Sequence, residues 1–372
     1  LSYITGWLLA LGNGILCPWE AIAISTLVSE MFGSLPGLEW LRAIKLYTIL
    51  GADVYLFPTL IALGFAVYVI FLNFRGASSA AKLQAFLTKA LLCGMLLAMG
   101  VSLFTGSPDN AMPVFSQVTG AGIVSVLVLT PFFYAGFDTI PQQAEEAAEG
   151  LNWNKFGKII SLALLAAGGF YMVCIYSFGT ILDWHEFVKS PVPALACLKG
   201  INMLLYLAML VIATLGPMGP MNSFYGATSR IMLAMGRKGQ LPEKFAEVDP
   251  SSGAPKLACV VLAVITVVGP FLGKNMLIPL TNVSALAFIF SCGMVALACL
   301  RMRFTEPDLP RPYEVPGGKF GISLAVAACA VIIGLLVIPF SPASLNMVEW
   351  SIVIGWLAIG LALMAFTNSR KK

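Results

Sequence analysis

The interval 130–146 combines helix-breaking residues with an ionisable side chain inside an apolar run. These residues are Pro131, Gly136, Asp138 and Pro141. The two prolines remove two helical N–H donors, and Gly136 loosens the backbone between them. In lipid, such backbone survives only where it is buried in protein or lines a cavity. Freed carbonyls beside a carboxylate near the bilayer midplane therefore indicate a binding site for a solute that crosses a membrane.

Aromatic residues surround the interruption at Gly136. They are Phe132, Phe133, Tyr134 and Phe137. Aromatic clusters at helical spacing more often face lipid or the protein core, but this cluster borders freed carbonyls and a carboxylate. A role in covering a ligand and a role in packing therefore both stay open.

Further polar residues lie inside other apolar runs. Glu20 lies near the middle of the first run, and Lys89 lies in the inner half of the third. An ionisable side chain at such a depth costs roughly 2.5–3.5 kcal/mol, and lysine must find acceptors because it only donates. In the sixth run, Gly-Pro-type breaks within 214–223 precede Asn222 and Ser223. Helix-to-helix hydrogen bonding is an equal alternative to a site role for Glu20, Asn222 and Ser223, whereas Lys89 favours coupling or gating.

The composition places these residues in a membrane protein. Hydrophobic residues make up 59% of the 372, charged residues make up 11%, and the mean hydropathy is +0.89. Soluble domains carry about 25% charged residues. The net charge of +4 comes from short loops rather than one patch, which argues against nucleic acid as a partner. The single histidine, His185, cannot build a typical metal site, and no histidine–carboxylate or cysteine–histidine set supports an enzyme. We therefore expect no metal, no cofactor and no enzymatic activity.

Ten apolar runs are long enough to cross a bilayer, since a helical span needs about 20 residues. We place them near 3–31, 50–72, 83–104, 119–149 (interrupted), 157–182, 201–235, 256–272, 276–300, 321–340 and 348–367. The fourth and the sixth are so long that they must be broken, tilted or extended into water. Segment 183–200 is apolar in part but too short to span, which is typical of a cap.

Basic residues are divided unequally between the two sets of loops. If the loops alternate from an inner N-terminus, sixteen lysines and arginines lie in inner loops and five in outer loops. The outer five are Arg42, Lys45, Lys189, Lys199 and Lys274. The positive-inside rule then predicts that both termini are cytoplasmic.

Four segments resemble the amino acid–polyamine–organocation (APC) family of secondary transporters. They are 136–146 (Gly-Phe-Asp, then Ala-Glu-Glu), 73–89 (Asn-Phe-Arg-Gly, then Gln84 and Lys89), 229–255 (Ser-Arg-Ile-Met-Leu-Ala-Met-Gly-Arg-Lys-Gly-Gln-Leu-Pro, then Pro255) and 311–318 (Arg-Pro-Tyr-Glu-Val-Pro-Gly-Gly). In that order they are similar to the family's interrupted sixth helix, its fifth helix, the end of its eighth helix and the loop before its eleventh. The third segment is highly specific.

The resemblance implies an all-α polytopic membrane protein with the LeuT-like inverted-repeat transporter fold, in one domain over 1–372. The family has twelve spans. Because 73–76 resembles the start of the fifth helix, the ten runs correspond to the third to twelfth helices, and the first two are expected upstream of Leu1. A rival interpretation takes Gly12-Asn-Gly-Ile-Leu16 as the break of the first helix, but it leaves two intervening spans where the inverted repeat needs four.

The resemblance also implies residue roles. In the family, the carboxylate of the substrate rests on the broken first helix, and its amino group meets carbonyls of the broken sixth helix. The matching positions here are the carbonyls of Phe132, Ala135 and Asp138, with Phe133, Tyr134 and Gly136 nearby. Lys89 matches the position that sodium occupies in related sodium-coupled transporters, which implies a proton-coupled or sodium-independent mechanism.

The sequence therefore predicts a multi-pass permease of the cell membrane that moves an amino acid or related amine by alternating access. The lack of a charged cluster beside the break favours a neutral amino acid or a small amine. The expected partners are this small molecule, the lipid bilayer and protons, with Lys89, Asn222, Ser223 and Glu20 as coupling or gate candidates. The alternative is a truncated fragment, or an amino-acid sensor with a transporter-like body, because half of the expected site is absent from the chain.

Overall fold

The computed structural model describes residues 1–75, 77–113, 119–142, 152–190, 192–311 and 313–369, and helices dominate this part of the chain. The helices are α1 (Ser2–Gly14), α2 (Leu16–Ser34), α3 (Leu56–Phe74), α4 (Ala77–Thr105), α5 (Thr119–Tyr134), α6 (Thr139–Gln142), α7 (Trp153–Gly179), α8 (Trp184–Phe187), α9 (Pro193–Ile201), α10 (Met203–Leu215), α11 (Met218–Arg237), α12 (Lys256–Val268), α13 (Leu277–Thr305), α14 (Gly318–Val337) and α15 (Met347–Ser369).

Eight helical segments of the described part are long and apolar enough to cross a membrane. One of them consists of α1 and α2 together, and another consists of α10 and α11. Two shorter apolar helices, 120–134 and 256–271, accompany them. The predicted class, a polytopic helical membrane protein, is confirmed by this architecture.

Helices α1 and α2 form one nearly continuous rod through the middle of the molecule. Ile15, between them, keeps right-handed helical angles (φ −61°, ψ −29°). Its N–H donates to the Leu11 carbonyl at 2.9 Å, and the Trp19 N–H donates to the Ile15 carbonyl at 3.1 Å. The Gly12-Asn13-Gly14 run is therefore not a broken helix, which agrees with the rejection of the rival alignment.

The glycines of this rod have a packing role instead. Gly12 lies against α13, where an added Cβ would meet the Phe288 backbone nitrogen at 3.1 Å, and the Ser284 hydroxyl donates to the Gly12 carbonyl at 2.7 Å. Gly14 lies against α11, where an added Cβ would meet Thr228 at 3.4 Å. Small residues let helices approach closely in lipid, where van der Waals packing drives association. Three central elements are thereby held together.

A two-stranded antiparallel hairpin, which the sequence analysis did not anticipate, precedes α3. Its strands are β1 (Lys45–Ile49) and β2 (Ala52–Tyr55). Leu50 (φ 50°) and Gly51 (φ 76°) both have positive φ, as a tight two-residue hairpin turn requires. Helix α3 consequently begins at Leu56, later than the bound of residue 50 expected from hydropathy.

Candidate functional site

The interruption in the fourth apolar run is located at Ala135–Asp138, between α5 and α6. Pro131 lies within α5 without ending it. The carbonyl that loses its donor at this proline belongs to Leu127, and the Thr130 hydroxyl donates to it at 2.7 Å. Helix α5 ends at Tyr134, and Gly136, two residues later, has a φ of +124°, a conformation that L side chains rarely adopt. The glycine, rather than either proline, therefore sets the position of the break.

The carboxylate of Asp138 closes the break locally. It accepts the Gly136 N–H at 3.0 Å, which satisfies one backbone donor that the interrupted helix has lost. Thr139 also binds Gly136: its hydroxyl and its N–H both donate to the Gly136 carbonyl, at 2.6 Å and 3.1 Å. The turn is thus a defined loop held by its own side chains.

Asn13 connects this loop to the central rod. It is completely buried, and its Nδ2 donates to Asp138 Oδ2 at 2.9 Å and to Gln142 Oε1 at 3.0 Å. The Gln142 side-chain nitrogen donates to the same Asp138 oxygen. No cation pairs with Asp138 among the residues that the structure describes, so three N–H groups stabilise its carboxylate.

The backbone carbonyls of the break differ in whether they already accept a hydrogen bond. The Phe132 carbonyl accepts the Ala135 N–H at 3.1 Å, and the Asp138 carbonyl accepts the Gln142 N–H at 3.3 Å. The Phe133 carbonyl accepts the Tyr171 hydroxyl at 2.9 Å. The Ala135 carbonyl accepts no hydrogen bond from the described residues. Of these backbone oxygens, Ala135 offers the acceptor that is most available to a ligand.

The aromatic residues divide between the two sides of the helix. Phe132 is buried and its ring lies 5.2 Å from that of Trp19 on α2, centroid to centroid. Phe133 is 48% exposed, and its ring lies edge-on to Tyr171 of α7, with centroids 6.2 Å apart. Tyr134 packs edge-on against Tyr171 of α7, with centroids 6.0 Å apart. Phe132 thus packs towards α2, whereas Phe133 and Tyr134 both pack towards α7.

Glu20 and Lys89 occupy very different surroundings. Glu20 is buried on α2, next to the Trp19 that packs on Phe132. Lys89 is an exposed side chain of α4. Neither forms a hydrogen bond or an ion pair with another described residue. Glu20 thus lies towards the break, whereas the Lys89 side chain lies on the exposed surface of α4.

The sixth apolar run has no comparable opening. Gly216 and Pro217, between α10 and α11, keep helical angles (φ −51°, ψ −48° and φ −59°, ψ −21°). Asn222 is buried and accepts a hydrogen bond from the Asn73 side chain of α3 at 2.8 Å, and Ser223 is half-buried. A Cβ at Gly136 would lie 3.8 Å from Phe224, so α11 forms a wall of the break.

Asn13, Gln142 and Tyr171 are the contacts that the sequence analysis missed. Gln142 follows Asp138 by one helical turn and could have been paired with it from spacing alone. Asn13 gave a weaker signal, as an amide between two glycines within an apolar run. Nothing in the sequence indicated Tyr171. The motif residues 143–146 lie outside the described residues.

Comparison with known families settles the class of the chain. The profile of a family described as amino acid permease matches residues 1–364. The chain belongs to this family. The chain is 25% identical to the branched-chain amino acid permease BcaP of Bacillus subtilis over 82% of its own length and 62% of that protein.

Other relatives of the permease are also transporters by name. It is 26% identical to the human cystine/glutamate transporter over 68% of its own length and 51% of that protein. It is 27% identical to the vacuolar cationic amino acid transporter 2 of Arabidopsis thaliana, over 83% of its own length and 48% of that protein. The chain therefore spans about half to three fifths of the length of these relatives.

Proposed function

We propose that the permease is a secondary active transporter that moves an amino acid or a related amine by alternating access. The observation that carries this proposal is the open turn at Ala135–Asp138, where an apolar helix is interrupted beside the Ala135 carbonyl, which accepts no hydrogen bond from the described residues. A substrate ammonium group can donate to the Ala135 carbonyl without a buried counter-charge, because backbone oxygens at a helix break attract cations. Family membership supports the same class of cargo.

The walls of the break favour a neutral amino acid or a small amine. The ionisable groups near it among the described residues are Asp138, which three N–H groups already satisfy, and the buried Glu20. No described lysine or arginine faces the turn closely enough to form an ion pair with Asp138. A substrate with an acidic side chain would thus lack a partner. The relatives carry different amino acids by name, so their names support the class and not one member of it.

The hydrogen-bonded cluster of the Asn13 and Gln142 amides with the Asp138 carboxylate serves as the inner latch of this transporter. It joins the short helix α6 to the central rod, so α6 cannot move relative to the rod while these hydrogen bonds hold. Alternating access requires one part of the bundle to rock or open against the rest. We expect the latch to break and reform in each transport cycle.

Lys89 is proposed to couple transport to protons or to stabilise the closed inner gate. The support is a lysine within a membrane-spanning helix that has no acceptor among the described residues. Lys89→Ala is expected to abolish the pH dependence of uptake, while Lys82→Ala, an exposed lysine nearer the start of the same helix, leaves it intact. If uptake by Lys89→Ala keeps the pH dependence of the wild type, Lys89 does not couple transport to protons.

The permease is further proposed to be one transmembrane domain in the cell membrane, with both termini in the cytoplasm. The uneven loop charges support this orientation. Cysteine labelling of intact cells tests it: a cysteine at Ser251 should be protected from an impermeant reagent, and one at Gly37 should react.

The decisive test of the function is uptake by the purified full-length protein in liposomes. Labelled neutral, cationic and acidic amino acids and a primary amine are offered with and without a proton gradient. We expect accumulation of a neutral amino acid or the amine. A protein that folds and inserts but moves none of these solutes, in net uptake or in exchange, would contradict the proposal.

A further inference from the structure

A cavity separate from the break lies towards the C-terminal end of α2, away from Asn13 along the rod. Its volume is about 320 Å³, and the proposed orientation places it on the outer face. It is enclosed by the last turns of α2, the β1–β2 hairpin, the start of α3 and the loop that follows α12. This volume lies at the lower end of the range of small-molecule sites, roughly 300–1,000 Å³. A cavity of this size accommodates a small metabolite.

Charges of both signs line the cavity. They belong to Glu30 on α2, Arg42 before the hairpin, Asp53 on β2 and Lys274 in the loop after α12. Asp53 already has its partners, because Lys45 Nζ lies 2.8 Å from Oδ1 and the Thr48 hydroxyl donates at 2.7 Å. The hydrogen bond from Lys45, followed by that from Thr48, lowers the pKa of Asp53, so this carboxylate stays ionised and neutralised. The charges left for a ligand are those of Glu30, Arg42 and Lys274.

Glu30 and Arg42 line the same cavity and yet do not pair with each other. The Glu30 carboxylate accepts the Ser34 hydroxyl at 3.2 Å, and no Arg42 nitrogen lies within the 4.0 Å of an ion pair. Arg42 is held by other contacts: its guanidinium carbon lies 5.0 Å from the centre of the Tyr55 ring, and Gly33 leaves the space that Nη1 occupies. Because the Glu30 carboxylate and the Arg42 guanidinium line one cavity without pairing, they can bind a ligand that carries a positive and a negative charge.

The rim of the cavity is rigid. The Tyr47 hydroxyl donates to the Phe271 carbonyl at 2.6 Å, and Asn275 donates to the Leu50 carbonyl at 2.8 Å. Gly273 has a φ of +73°, and an added Cβ there would approach Ile49 to 3.0 Å. Because these contacts fix the hairpin before any ligand arrives, binding costs little ordering of the rim.

We propose that this outer cavity is a second binding site, specific for a free zwitterionic α-amino acid. The ligand's ammonium group pairs with Glu30, and its carboxylate pairs with Arg42 and Lys274. The identity of the ligand rests on the proposed transport function, since the same chemistry of ammonium and anion occurs in a phosphoethanolamine lipid headgroup. The site is separate from the break, whose residues are absent from its lining.

The two sites are distinguished by binding measured in lipid-free detergent on the full-length protein. Calorimetric titrations use each of the twenty amino acids, a primary amine without a carboxylate, and phosphoethanolamine. In Gly136→Ala, which disrupts the break, we expect one amino-acid site per chain to remain and the amine to be lost. Adding Arg42→Gln or Glu30→Gln to this background should weaken that remaining site by at least about tenfold, since each removes a charge-assisted hydrogen bond. Lys189→Gln, which removes a positive charge as Arg42→Gln does but at an exposed residue away from the cavity, should leave it unchanged.

Each outcome bears on one proposal or the other. The outer site is overturned if Gly136→Ala binds no amino acid, if the remaining binding is indifferent to both Arg42→Gln and Glu30→Gln, or if only phosphoethanolamine occupies it. A wild-type protein that shows only the Arg42-dependent site and no uptake would instead refute the proposed transport site. Melting temperatures of all variants exclude unfolding as the cause, and because Arg42 and Glu30 lie on different elements, loss in either folded variant suffices.

Discussion

The α5–α6 break and the α10–α11 junction carry similar helix-breaking residues and adopt different structures. At the break, Gly136 has a φ of +124° and the helix stops. At the junction, Gly216 and Pro217 remain helical, and hydrogen bonding continues from the Gly216 N–H to the Ile212 carbonyl at 2.8 Å and from the Met221 N–H to the Pro217 carbonyl at 3.1 Å. Glycine and proline content alone therefore does not decide where a membrane helix opens.

The difference lies in the side chains that can replace the lost backbone bonds. Asp138 follows Gly136 by two residues and accepts its N–H, while Thr139 donates to its carbonyl. The junction has no such carboxylate, and its neighbours Met218 and Met221 are buried apolar residues that keep the backbone within the helix. A break that is polar, partly exposed and closed by its own side chains can exchange partners with a ligand, whereas a buried kink cannot.

The largest expected difference in uptake is between a glycine-to-alanine substitution at the break and the same substitution at the junction. Gly136→Ala forces a side chain into a strained conformation, so uptake should fall by at least about tenfold. Gly216→Ala keeps helical angles, and its closest contact is the flexible end of Leu91 at 3.2 Å, with the Ile212 and Ala213 carbonyl oxygens at 3.4 Å and 3.5 Å, so its uptake should fall less than about threefold. Proteoliposome uptake at matched protein density measures both. Equal losses of uptake in the two variants would contradict the functional difference between the break and the junction.

The latch should give an intermediate effect. Asn13→Ala removes both hydrogen bonds from the rod to α6 and leaves Asp138 with two donors. We expect faster opening towards the cytoplasm and an altered uptake rate, with a coupling between Asn13→Ala and Asp138→Asn of about 0.6 kcal/mol and at most roughly 1.7 kcal/mol, as found for polar pairs in membranes. A double-mutant cycle on thermal stability measures the coupling, and additive effects would show that the pair does not act together.

The smallest effect on transport is expected at the polar pair beside the kink. Asn73→Ala leaves the buried Asn222 without that donor, which should cost about 1–3 kcal/mol of stability. Uptake per folded molecule should change little, because this pair joins α3 to α11 within the packed core. Melting temperature and uptake are measured on the same preparations. If Asn73→Ala loses uptake without losing stability, the result would support the gate role that the sequence predicted for Asn222.

The position and chemistry of the break could be predicted because they are local. Gly136 and Asp138 are two residues apart, and the conformational freedom of the one and the charge of the other act within a single turn. Asn13 could not be predicted as their partner, because it lies 125 positions away from Asp138 and the contact depends on how α1 packs. The hairpin was missed for a different reason, since hydropathy does not distinguish its alternating strands from the start of α3.

The loop chemistry of the outer face was equally hidden from sequence reasoning. Arg42 and Lys274 entered only as two of the five outer basic residues, and Glu30 lay at the end of an apolar run. Their convergence on one cavity depends on the turn at Leu50 and Gly51, which folds the hairpin back over α2. Charge counting predicts a side of the membrane for these loops but could not predict the cavity.

The central claim, that the break holds the ammonium group of the substrate, is tested most directly by equilibrium binding of a labelled primary amine without a carboxylate. Such a ligand can use the Ala135 carbonyl but cannot pair with Arg42. The account predicts saturable binding to the wild-type protein and at least about tenfold weaker binding to Gly136→Ala, with Gly216→Ala close to wild type. Equal binding of the amine to wild type and Gly136→Ala would contradict it.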